Sequence, residues 1–136
     1  MTTISISAIA KASKQKTWDA YTAPEHIVNW NFASPDWCCP SASNDLQVGG
    51  KNSSRMEAKD GSFGFDFYGV YEAMDLGNGY VNRLGDGRRV EVRLVEEGNE
   101  TRIEIDFEAE EENTLELQQM GWQAILNNFV GYVESL

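Results

Sequence analysis

Hydrophobic and polar positions alternate along much of this chain, and a longer helical period takes over at its end. Thr3 to Ala10 sets Ile4, Ile6, Ala8 and Ala10 on one side and Ser5 and Ser7 on the other, the pattern of a half-buried strand. The alternation returns in Lys51 to Ala58, with Met56 and Ala58 on one side. It is strongest where Phe63, Phe65, Phe67, Gly69 and Tyr71 share a face. Tyr80, Asn82 and Leu84, then Val90, Val92 and Leu94, then Thr101, Ile103, Ile105 and Phe107 repeat it. Asp60-Gly61, Leu76 to Asn78, Asp86-Gly87 and Glu96 to Asn99 punctuate these runs as turns.

From Asn113 to Leu136 the period becomes 3.6 residues. Leu115, Trp122, Ile125, Leu126, Phe129, Val133 and Leu136 then fall on one wide apolar face of a long helix. Asn113 stands three residues before Glu116, which predicts a capping box, and Glu110, Glu111 and Glu112 suit the positive helix end. Gln118 and Gln119 lie on the side of Trp122, so the pattern predicts two amides facing a partly polar cavity.

Two shorter helices are predicted after the first strand. Ser13 caps one whose Trp18 and Tyr21 share a face. Thr22 and Glu25 form a second capping box with Pro24 in the first turn, and Ile27 and Trp30 make that helix's inner edge. Asn31 to Asn44 loses all periodicity around Trp37, Cys38 and Cys39. Pro35 and Pro40 exclude a continuous helix or central strand there, so the segment reads as the longest loop. Leu46 and Val48 lead into Gly49-Gly50, read as a sheet bend or bulge.

Strands and helices do not alternate as in a parallel nucleotide-binding sheet. The fold class is α+β: a curved antiparallel β-sheet of about six or seven strands wrapped around a long C-terminal α-helix, with two short helices after the first strand. At 136 residues the chain has the size of one domain, residues 1–136.

Composition narrows the partners. Eleven basic against 22 acidic residues give a net charge of −11, which repels phosphate backbones and anionic membrane surfaces, so neither nucleic acid nor membrane is expected as a partner. No run approaches the roughly 20 apolar residues of a membrane span, and Met1-Thr-Thr-Ile lacks the zones of a signal peptide, which points to the cytoplasm. Cys38 and Cys39 are adjacent, too close for ordinary disulfide geometry, and read as reduced thiols.

The inward positions supply the candidate site. Phe65, Phe67, Tyr71, Tyr80 and Trp122, with Met56, Gln118 and Gln119, line the expected cavity, and Trp30 and Trp37 stand at its mouth. Any one of these aromatics could simply fill a core, but the glutamine pair favours a cavity, because buried amides need partners that a ligand or ordered water can provide. Catalytic groups are not evident. His26 is the single histidine and has no local spacing with Cys38 or Cys39 that would make a nucleophile pair or a metal site. Asp36 and Asp60 are the remaining acid–base candidates, while alternation sends Asp66, Glu72 and Glu91 to the outer face. Gly49-Gly50-Lys51 lacks the spacing and following helix of a phosphate loop. No cofactor or metal is expected.

Specific residues then carry a resemblance. Asp45-Leu-Gln-Val-Gly-Gly50, Arg55-Met56, Asp60-Gly61, Phe67-Tyr-Gly-Val-Tyr-Glu72, Asp86-Gly-Arg88, Thr101, Gly121-Trp122, Leu126, Phe129 and Tyr132-Val-Glu134 follow one another as in the START-like (SRPBCC, birch-pollen-allergen-like) superfamily. Within it the chain resembles the branch named for the C-terminal domain of the heat-shock protein 90 ATPase activator. The likeness runs from the first strand to the last helix and implies a helix-grip fold with a cavity between helix and sheet. One departure is Asn52, two positions after the double glycine, where the family usually has an aromatic residue.

The resemblance implies three functions in competition, since the fold hosts carriers, cyclases and co-chaperone domains alike. The first is binding of a small hydrophobic or amphipathic molecule. The second is a cyclase-like or hydrolase-like enzyme acting on a cavity-bound substrate. The third is a co-chaperone-type module with a protein partner. Outward Tyr68 and Val70 mark a face through which a homodimer could form.

Overall fold

The computed structural model describes residues 2–136. Seven strands run β1 (Thr3–Ala10), β2 (Trp37–Asn44), β3 (Lys51–Ala58), β4 (Gly64–Asp75), β5 (Gly79–Leu84), β6 (Arg89–Glu97) and β7 (Glu100–Glu108). Helices α1 (Lys14–Thr22) and α2 (Pro24–Ile27) follow the first strand, and α3 (Leu115–Glu134) closes the chain. The sheet order is β1-β7-β6-β5-β4-β3-β2, antiparallel throughout, so β2 to β7 form a meander and β1 adds beside β7. This is the helix-grip architecture: a curled sheet holding the terminal helix, with α1 and α2 at one end.

Alternation places the core. Ile4 and Ile6, Val90, Val92 and Leu94, and Ile103, Ile105 and Phe107 are all buried on the inner face. Phe129, Leu126 and Val133 of α3 meet them, each essentially inaccessible. On the outer face, Arg93 bonds Asp106 at 3.0 Å and Glu104 at 3.3 Å, and Arg83 bonds Glu72 at 3.0 Å. Such exposed pairs order the sheet surface and contribute little stability each.

Several predicted details are corrected. The helix α3 is capped by Thr114, whose hydroxyl accepts from the Leu117 amide at 3.1 Å, one residue beyond the expected Asn113. Glu110 instead folds the preceding turn, accepting from the amides of Glu112 and Asn113. Leu115 and Leu136, at the ends of the predicted apolar face, are about half exposed, and Leu136 lies beyond the end of the helix. Thr22 does not cap α2. It is the last residue of α1, its hydroxyl donates back to the Trp18 carbonyl at 2.7 Å, and α2 begins from Ala23 with no side-chain cap.

The largest correction concerns residues 37–44, read as loop and found as β2. Pro40 is tolerated because β2 is an edge strand, where a missing N–H leaves no ladder partner empty, and the register slips between Cys38 and Ser41 around it. Ser13 does cap α1, accepting from the Lys16 amide. Gly50 marks the bend before β3: a Cβ there would stand 2.1 Å from the Asp45 carbonyl oxygen, a close approach only glycine permits.

Candidate ligand-binding cavity

Curling the sheet around α3 leaves a cavity of about 320 Å³ between them. The floor is Tyr71, Tyr80, Val90, Val92 and Ile105 from β4 to β7. One wall is Met56, Phe65 and Phe67, and the roof is Gly121, Trp122, Ile125 and Leu126 of α3. Tyr21, Ile27 and Trp30, from α1, α2 and the turn after it, close the far side. A broader depression of about 720 Å³ among the loops at Ser13, Leu76 to Asn78 and Glu96 is open to solvent and lacks aromatic walls.

The aromatic walls are held by ring contacts. Trp122 stacks on Phe107, with centroids 4.1 Å apart and planes 8° from parallel, and meets Phe67 edge-on at 5.9 Å. Trp30 stacks on Tyr21 at 4.9 Å, and both meet Phe129 edge-on. The Trp30 indole N–H donates to the Ala20 carbonyl at 3.0 Å, which satisfies the one polar atom of a deeply buried ring. These rings are therefore fixed before anything enters.

Polar residues also line the cavity: Asn31, Ser43, Ser53 and Ser54, and three asparagines that are held by hydrogen bonds between elements. Asn44 accepts from the Tyr71 hydroxyl at 2.5 Å and donates to the Thr22 carbonyl at 2.8 Å, tying the edge strand to the end of α1. Asn52 and Asn82 bond each other reciprocally, at 3.0 and 3.3 Å, from β3 and β5. Strand β4 runs between those two strands, and the inner position there is Gly69, the register partner of Asn52. The missing side chain is what lets the two amides meet over it.

Among the described residues that line the cavity, none is Asp, Glu, His, Lys or Arg. Its titratable groups are phenols. Burial pushes Tyr71 up to about 12, against the hydrogen bond to Asn44. Burial also raises Tyr21, offset partly by the Tyr80 hydroxyl, and raises Tyr80 well above the ordinary tyrosine value, with Tyr21 and Tyr71 nearby adding to the effect. All three are neutral donors across the physiological range.

Of the residues expected in the site, Trp30, Met56, Phe65, Phe67, Tyr71, Tyr80 and Trp122 line the cavity together. Trp37 does not; it packs one layer out, against Phe63 and Phe65, with centroids 6.1 Å from each. Gln118 is buried but turned away. Its Oε1 accepts from the Glu110 amide at 2.8 Å, and its Nε2 donates to the carbonyls of Glu110 at 3.1 Å and Asn113 at 2.9 Å. Gln119 is exposed. The glutamine pair thus serves the β7–α3 turn and the surface, and the cavity's amides are asparagines. Asn82 was legible as an inward position of its strand, and Asn52 as a departure from the family pattern. Tyr21 and Asn44 lie on elements whose inward faces no long periodicity marks.

The other chemical candidates are occupied elsewhere. His26 Nδ1 lies 2.6 Å from the Tyr132 hydroxyl. Cys39 is buried, its thiol donates to the Ser41 carbonyl at 3.4 Å, and burial pushes it up; neither cysteine is in a disulfide. Asp60 accepts from the Ser62 amide within its turn. Among the described residues no group of His, Cys, Asp and Glu is placed to hold a metal ion, and no helix is long and apolar enough to cross a membrane.

Comparison with known proteins gives these features a family. No curated protein matches the chain. The solution structure of the AHSA1-like protein from Aeromonas hydrophila is 40% identical, covers 98% of this chain and 93% of that one, and superimposes with a TM-score of 0.93. A protein of Cytophaga hutchinsonii is 43% identical over 97% of this chain and 92% of its own, with a TM-score of 0.84. A crystal structure from Nitrosomonas europaea shares the fold at 14% identity, with 98% and 94% of the two chains covered and a TM-score of 0.83. The family model described as activator of Hsp90 ATPase homolog 1-like protein matches residues 11–134, and the chain belongs to that family.

Proposed function

We propose that this protein binds a small hydrophobic or amphipathic molecule in the cavity between the sheet and α3. The observation that carries the reading is a partly open cavity of about 320 Å³ with aromatic walls already fixed by ring contacts and a few buried or half-buried carboxamides among them. This matches the size and make-up of ligand sites, which are mostly apolar with a few placed polar groups. An acid–base reaction in the same space would have to use phenols that burial keeps protonated, so the cyclase-like or hydrolase-like alternative draws no support from the lining.

A thermal-shift screen against lipids, aromatic polyketides and neutral metabolites tests it. A ligand at about a hundredfold excess over its Kd adds about 2.7 kcal/mol to the folded state. A rise with one chemical class, lost in Trp122→Ala, is the expected result, and a flat panel removes the reading.

A second reading follows from the family description, that of a co-chaperone-type module. It is favoured by Leu117 and Met120, 56% and 69% exposed on α3, which offer apolar contact to a protein partner. Stimulation of a chaperone ATPase by the purified protein, lost in Met120→Asp, would support it; no stimulation would dismiss it.

A further inference from the structure

We infer that the Asn52–Asn82 carboxamide pair is the specificity-determining element of the cavity, and that it selects uncharged ligands carrying an adjacent hydrogen-bond donor and acceptor, such as a lactam or carboxamide. The inference rests on the reading of the cavity as a binding site and names what that site takes.

Charge is the first discriminator. No lining residue among those described is an acid, a base or a histidine, and the phenols are neutral. A carboxylate or ammonium entering this space would lose its hydration with no opposite charge to replace it, the most costly kind of burial. A neutral ligand avoids that cost. The rings of Trp122, Phe67 and Trp30 are held edge-on or stacked against their neighbours and give the site fixed aromatic walls.

The amide pair is the second. A primary carboxamide has two N–H donors and an oxygen with two lone pairs. The reciprocal bonds at 3.0 and 3.3 Å use one donor and one lone pair from each residue. One N–H and one lone pair remain on each, and both residues line the cavity. Reciprocal pairing also fixes the two amides relative to each other, because one turned over alone would face donor to donor and acceptor to acceptor. Gly69 makes the arrangement possible, since a Cβ there would stand 2.4 Å from Asn82 Oδ1. The site therefore offers paired donors and acceptors on a wall they share with Asn44, Ser53 and Ser54, and a group with one of each completes them.

Three matched bicyclic probes test this: carbostyril, a neutral lactam; naphthalene, its apolar counterpart; and naphthoate, its charged one. Binding is followed by amide and side-chain NMR of the full chain. Carbostyril is expected to bind at least about tenfold more tightly than naphthalene and to shift the side-chain NH2 signals of Asn52 and Asn82, with naphthoate excluded. In Asn52→Ala the preference for carbostyril over naphthalene falls about tenfold. The NH2 shifts in the unaltered protein give the answer even if a variant fails to fold. Equal binding of carbostyril and naphthalene without NH2 shifts, or entry of naphthoate, overturns the inference while leaving a binding cavity in place. Binding of none of the three at millimolar concentration overturns this inference and counts against the binding reading itself.

Discussion

The inner face of Gly69 is occupied by Asn82: the amide oxygen lies 2.4 Å from where a Cβ on Gly69 would stand, and the Arg83 carbonyl oxygen 2.7 Å. Two strands thus exchange side-chain hydrogen bonds across a third. Gly69→Ala forces Asn82 or the β5 backbone to move, and overpacking of this kind costs about 1–3 kcal/mol. Urea unfolding of the variant should show that loss, and the Asn52 and Asn82 NH2 signals should collapse toward solvent values. A variant as stable as the parent would mean that the amides do not meet over the glycine.

Tyr71→Phe leaves Asn44 Oδ1 without its 2.5 Å donor while keeping the ring in its edge-on contact with Tyr80. The expected loss is about 1–2 kcal/mol, lessened where water can enter from the cavity. Because Asn44 also holds the Thr22 carbonyl, the change should show as faster amide exchange in β2 and at the end of α1 rather than in β6 and β7.

The buried phenols set an alkaline limit. A group whose folded pKa is raised stabilises the fold fully below its unfolded value, near 10, and that contribution is lost as pH rises toward the folded value. For Tyr71 the window runs from about 10 to about 12, and Tyr80 and Tyr21 extend it in the same direction. Stability against urea should therefore decline progressively above pH 10. Tyr71→Phe should flatten the first part of that decline. Ultraviolet titration of phenolate should show a slow-ionising class released on unfolding.

Gln118 and Gln119 separate in their effects. Gln118→Ala removes the hydrogen bonds of its side-chain amide to the backbone of the β7–α3 turn and leaves the Glu110 amide without its acceptor, for an expected loss of about 1–3 kcal/mol. Gln119→Ala, on an exposed residue, should stay within about 0.5 kcal/mol of the parent. Neither should change binding of an apolar probe, and a binding defect in Gln119→Ala would restore it to the site.

Most of the fold was legible because period-two alternation reports which face of a strand is wet, and β6 and β7 alternate cleanly. Where the chain serves an edge, the signal fades. Pro40 argues against a strand only where its N–H would be needed, and β2 has no neighbour on that side, so residues 37–44 read as loop. Helical spacing put Gln118 beside Trp122, and it is indeed buried, but spacing does not show that the 110–114 backbone folds back to meet it. The asparagine pair needed three strands in register at once, with Gly69 read as a gap. Alternation within one strand does not carry that information.

The cavity itself is tested most directly by methyl NMR of the purified full chain on titration with naphthalene. Val90, Val92, Ile105, Ile125 and Leu126 line the space and give separate probes of it, while Leu115, Leu117 and Leu136 lie on exposed positions. Saturable shifts confined to the first set, lost in Trp122→Ala, are the predicted result. No shifts, or shifts centred on the exposed leucines, would contradict a ligand site between sheet and helix.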